Sequence, residues 1–102
     1  MNQDFELILD QLDQEKVPDE ALYELSNLHG QELRALRERW AMLDAAQRRA
    51  IAARLAEISE ADFEVDFSEL FRVGLDDENQ HVRVSSIEGL WEVQDVNLIR
   101  PL

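Results

Sequence analysis

The 102 residues include no cysteine, which excludes a disulfide framework, a thiolate metal site and a cysteine nucleophile. Helix breakers are scarce: two prolines and three glycines stand among abundant Ala, Leu, Glu and Arg, a mix that favours helix nearly throughout. No apolar run approaches the ~20 residues that a membrane-spanning helix needs. The start, MNQDFELILD, places no basic residue before its short apolar run, so it does not read as a secretory signal. The expectation is a soluble, cytoplasmic protein. Positive charge is also short: 10 Lys and Arg stand against 23 Asp and Glu, a net charge of -13. Phosphate backbones would be repelled, and nucleic acid is not an expected partner. His29 and His81 are the only histidines, and neither has a second histidine at ligand spacing. No serine sits in a nucleophile elbow and no glycine-rich loop could cradle phosphate. No catalytic, metal-binding or cofactor-binding residue is assigned, and an enzyme is not expected.

The chain length fits one domain, and a hydrophobic fraction of 45% is ordinary for a globular protein. The charge falls in three blocks. Residues 1–32 and 57–102 are strongly acidic, whereas residues 33–56 carry six arginines and two acids.

Helical periodicity orders most of the chain. Phe5, Ile8, Leu9 and Leu12 share one face of a helix over residues 3–14. Gln14 to Pro18 is a break, because the residue before proline resists the α conformation. Leu22, Leu25 and Leu28, with Tyr23, form the stripe of a second helix that closes at His29-Gly30. Leu33, Leu36, Trp40 and Leu43 predict a third. Asp44 with Gln47 reads as a capping box opening a fourth over about 44–59, with Ala46, Ile51, Leu55 and Ile58 inward. Asp66 and Glu69 repeat the capping pattern before a fifth, anchored by Leu70, Phe71 and Leu75. Asn79, a natural N-cap, opens a sixth over about 80–93, with Val82, Ile87, Leu90 and Trp91 apolar. Asp95 starts a seventh.

Leu70-Phe71-Arg72 lies over Leu98-Ile99-Arg100, 28 residues on, and periods of this order mark stacked helical hairpins. A helix ending in Gly74-Leu75, the acidic turn Asp76-Asp77-Glu78, then Val82-Arg83, small residues at Ser86 and Gly89, and Leu90 resemble a HEAT repeat of the short bacterial form also found in phycobilisome lyases. Gln80 stands where that family often has proline, and Ser86 and Gly89 where alanine is usual. The resemblance covers residues 66–102, as one repeat and the start of the next helix. Residues 19–65 fit a degenerate repeat or N-terminal cap of the same solenoid, and residues 1–18 an N-terminal helix and linker. The resemblance implies an all-α fold, a right-handed superhelix of antiparallel helical hairpins, and a non-catalytic protein–protein interaction scaffold. Two other roles follow from it: an accessory to bilin attachment, and a structural capping module of a larger repeat protein. It implies that Arg83 pairs with an acid of the turn or of an adjacent repeat, and that the helix holding Val82–Val93 lies on the inner, concave layer.

A lone hairpin cannot bury both faces and leans on a neighbour. The sequence ends at Pro101-Leu102, before a seventh helix could finish, so it reads as a piece of a longer array or as a short capping piece. Leu98, Ile99 and Leu102 would then seek cover, and a second copy could supply it. Arg48 and Arg49, from the arginine block, are candidate partner contacts for an acidic group, together with Glu88 and Glu92. Internal pairing of the arginines with the flanking acidic helices is the favoured alternative. Asn79, Arg83, Gly89 and Trp91 are assigned structural roles, with Trp40 and Trp91 in the core. Asp62, Glu64 and Asp66 alternate like a calcium loop, but Phe67 and Val73 stand where an EF-hand needs glycine and glutamate. The expected partner is another protein presenting a basic face.

Overall fold

A computed structural model of the chain describes the backbone of residues 3–99 and the side chains of residues 4–91. Among these residues there are six helices and no strand: α1 (Gln3–Gln11), α2 (Asp19–Tyr23), α3 (Gly30–Met42), α4 (Ala45–Ala61), α5 (Ser68–Leu75) and α6 (Gln80–Ile99).

The N-terminal segment docks into the common core. Phe5, Leu9 and Leu12, spaced 4 and 3, are buried. Helix α1 stops three residues before the expected end because Leu12, Asp13 and Gln14 turn their N–H groups to carbonyls three residues back. Carbonyls at a helix end need outside donors. The Gln47 amide supplies them, donating to Leu12 O and Gln14 O at 2.6 Å each. Arg39 of α3 adds Asp10 at 2.9 Å and Asp13 at 3.4 Å.

Helix α2 is a single short turn, not the longer helix read from its leucines. After Tyr23 the chain tightens into turns, and Asn27 takes φ 60°, a left-handed conformation that asparagine tolerates. Its N–H donates to Asp66 O at 2.8 Å, and Ser26 Oγ accepts from Asp66 N at 2.8 Å. Two turns distant in sequence are thereby joined. Leu22, Leu25 and Leu28 are buried, while Tyr23 points outward.

The third and fourth helices follow their periodicity closely. Leu36, Trp40 and Leu43 are buried from α3, and Ile51, Ala52, Leu55 and Ile58 from α4. Ala46, expected inside, is exposed. Asp44 Oδ1 caps α4 by accepting from Gln47 N at 2.8 Å. At the entrance to α5, Asp66 Oδ1 accepts from Ser68 N at 3.0 Å and from the Ser68 hydroxyl. Glu69, given to a capping box by the sequence, pairs with Arg72 instead.

Helices α5 and α6 run antiparallel, and small residues set their separation. A Cβ on Gly89 would lie 2.2 Å from the Phe71 ring, and one on Gly74 would lie 2.0 Å from Ser86 Oγ. A large residue thus meets glycine at one level and a hydroxyl meets glycine at the next. Ser86 Oγ satisfies itself on Val82 O at 2.8 Å. Phe67 and Phe71 meet edge to face at 6.3 Å. Each such buried side chain contributes about 1.5–3 kcal/mol through removal from water.

Three expectations for this region are corrected. No turn separates a sixth from a seventh helix: α6 continues through Asp95 to Ile99, so Leu98-Ile99 belongs to the same helix as Val82 and does not open a second unit. Leu75 is 37% exposed and does not anchor the core. Trp91 is 60% exposed and Ile87 47%, because the close approach at Gly89 turns the opposite side of α6 toward α5.

Candidate functional site

Two features stand out beyond the core: a polar hub at the α5–α6 turn, and the outer face of α6.

The hub is built around Asp77. Its Oδ2 accepts from Trp40 Nε1 at 2.9 Å and from Arg48 Nε at 2.9 Å, and its Oδ1 accepts from Asn79 N at 2.9 Å. The Asp77 side chain is 4% exposed and that of Arg48 is 14% exposed. Burial alone would raise the Asp77 carboxyl. The Asn79 amide, the Trp40 indole and the Arg48 guanidinium outweigh it and hold the group below its ordinary range. Arg48 also donates to Leu43 O. Asn79 caps α6, its Oδ1 accepting from His81 N at 2.9 Å and Val82 N at 3.2 Å. Arg83 reaches back to the turn, but its Nη1 donates to the carbonyls of Asp77 and Glu78 at 2.8 and 3.0 Å. Arg83 therefore makes backbone contacts there, where the resemblance implied a carboxylate. A shallow cleft of about 310 Å³ beside the hub is bordered by Arg37, Trp40, Val73 and Glu78.

The hub engages Arg48, a candidate partner contact, internally: its guanidinium is bound to Asp77 and Leu43 O and is largely buried. Arg54 and Arg39 are likewise engaged internally. Arg54 grips Asp19 through Nε at 3.0 Å and Nη2 at 2.7 Å, and this bond lowers the Asp19 carboxyl. Arg34, Arg37 and Arg49 are exposed, and none of them forms an ion pair among the described residues. The acidic DFEVD segment folds onto itself, Asp62 Oδ1 accepting from Glu64 N at 2.9 Å. Among the described residues no cluster of His, Cys, Asp or Glu is arranged for a metal ion.

The outer face of α6 is different in kind. Val84, Ile87 and Trp91 are 45%, 47% and 60% exposed. At 3.6 residues per turn their spacing of 3 and 4 gathers them within an arc of ~60°, opposite the buried Val82, Ser86 and Gly89. A helix that is apolar on two opposite sides calls for cover on both. Glu88 is exposed at the edge of this stripe. Beyond it, toward α4, Ala53, Ala56, Glu57, Glu60 and Ser85 join Glu88 around a cleft of about 220 Å³. The side chains of Glu92, Leu98 and Ile99, and all of Leu102, lie outside the described residues. Sequence reasoning did not single out Val84, Glu57 or Glu60. The Val84–Ile87–Trp91 spacing carried the signal, masked by grouping Ile87 and Trp91 with Val82 and Leu90 and assigning Trp91 to the core.

Among the described residues these features define an all-helical protein whose α6 leaves an apolar face exposed. Comparison with family models, with curated proteins and with solved structures finds no match to this chain. No described helix is long and apolar enough to cross a membrane.

Proposed function

We propose that the protein is a non-catalytic interaction module that offers the outer face of α6 to another protein. The observation that carries this reading is the exposed Val84–Ile87–Trp91 stripe on a helix already buried on its opposite side. Tryptophan is a frequent anchor of protein interfaces. The antiparallel α5–α6 pair packed on α4 is compatible with a HEAT-type hairpin stack. In that arrangement the face left open by the stack does the binding.

Affinity capture with the wild-type chain and with Ile87→Asp/Trp91→Asp tests the reading. A co-captured protein that disappears with the variant, while circular dichroism shows an unchanged fold, is the expected result. The same captured set with both chains would refute it.

A further inference from the structure

We propose that the occupant of this face is a cationic amphipathic helix of another protein. Its apolar anchors would meet Val84, Ile87 and Trp91, and its lysines or arginines would line the flank that faces α4. The inference rests on the protein-binding reading and adds the partner's chemistry.

The two flanks of the stripe are chemically unlike. On the α4 side lie Glu88 and then the cleft walled by Glu57 and Glu60, with Ala53 and Ala56 between them. Arg54 touches Glu57 at 3.3 Å, but it is committed to Asp19 by two shorter bonds. Glu60 and Glu88 have no ion-pair partner among the described residues. On the other flank lies Arg83, whose guanidinium is bound to the turn carbonyls; Gln80, uncharged, continues the stripe one turn before Val84. An apolar stripe bordered by carboxylates on one side only selects a helix with anchors at i, i+3 and i+7 and cations along one edge. The alanines leave room for long basic side chains to reach the carboxylates. An uncharged helix would instead strip water from carboxylates and leave them unpaired, which is costly. A second copy fits poorly, since two chains of net charge -13 would bring like charges together. An anionic membrane surface would be repelled for the same reason.

The test uses the full chain and two synthetic helical peptides with one shared leucine stripe, flanked by lysine in one and glutamate in the other. Calorimetry is run at low and high salt on the wild type, Trp91→Ala and Glu60→Lys/Glu88→Lys. The lysine peptide is expected to bind, and added salt to weaken it because exposed charges are screened. Each variant is expected to weaken it about tenfold or more, equivalent to ~1.4 kcal/mol. The glutamate peptide is expected not to bind. Equal binding of both peptides, weakened by Trp91→Ala alone, would keep the docking reading and overturn the cationic assignment. Binding of neither peptide, or indifference to both variants, would overturn the proposal. A concentration-dependent dimer abolished by Trp91→Ala would overturn it too, giving the face to a second copy.

Discussion

Arg48 Nε and Asp77 Oδ2 lie 2.9 Å apart and join the first turn of α4 to the turn that launches α6. Both side chains are largely out of water, and each has further partners: Leu43 O for the arginine, Trp40 and Asn79 for the aspartate. Breaking one side of such a pair leaves the other charge buried and unanswered. Arg48→Ala is therefore expected to lower stability by about 3 kcal/mol, read as a shift in the urea midpoint. The double variant Arg48→Ala/Asp77→Asn should lose clearly less than the losses of Arg48→Ala and Asp77→Asn added together. Strict additivity in that cycle would show that the pair is not coupled.

The same carboxyl sets an acid limit on the fold. A group held below its unfolded value of ~4 stabilises the folded state above that pH, and the contribution is lost as pH falls through the folded value. Asp77 is shifted in this direction. Asp19 is too, although its pairing with Arg54 is solvent-exposed and should contribute little. Stability should thus decline as the medium is taken below about pH 4, and Asp77→Asn should flatten that decline. If both chains show the same acid slope, the hub is not responsible.

Gly89→Ala sets two effects against each other. Alanine gains ~1 kcal/mol over glycine in helix propensity, whereas its methyl would stand 2.2–2.5 Å from Phe71 ring atoms. Phe71 is 1% exposed and has little room to retreat, and overpacking a tight core costs about 1–3 kcal/mol. Net destabilisation is expected, with partial relief in Gly89→Ala/Phe71→Leu. A thermal midpoint raised by Gly89→Ala would mean that propensity prevails.

The two tryptophans should separate cleanly. Trp91→Ala is expected to change stability by less than about 0.5 kcal/mol, as surface substitutions usually do. Trp40→Ala empties a buried site and removes a donor from Asp77, at a cost of about 3–5 kcal/mol. Fluorescence quenching by acrylamide, which is uncharged, should report the same contrast, with Trp91 reached and Trp40 protected.

What the residues disclosed in advance follows the range of the forces involved. The Asp44 and Asn79 caps, the Leu36–Trp40–Leu43 stripe and the Ile51–Leu55–Ile58 stripe depend on neighbours within one or two turns, so they were legible. The fate of Arg48 was not. Asp44 stands four residues before it and Asp77 far along the chain, and only the folded arrangement decides between them. Trp91 was misplaced because α6 carries two apolar stripes, and the inward one is chosen by how Phe71 meets Gly89. The turn expected near Asp95 came from aligning Leu98 with Leu70. Between Leu90 and Ile99 there is no glycine or proline to stop the helix. The face proposed for docking was half visible: Ile87, Glu88 and Trp91 were noticed, but the acidic wall from α4 joins them only in three dimensions.

Asn27 sits on the surface, yet its amide hydrogen is tied to a carbonyl thirty-nine positions further along. In deuterated solvent that proton should linger while those of adjoining loop residues wash out, because releasing it means parting two remote stretches of chain. Lengthening either stretch by a residue, a change that surface bends usually absorb, should therefore be felt at both.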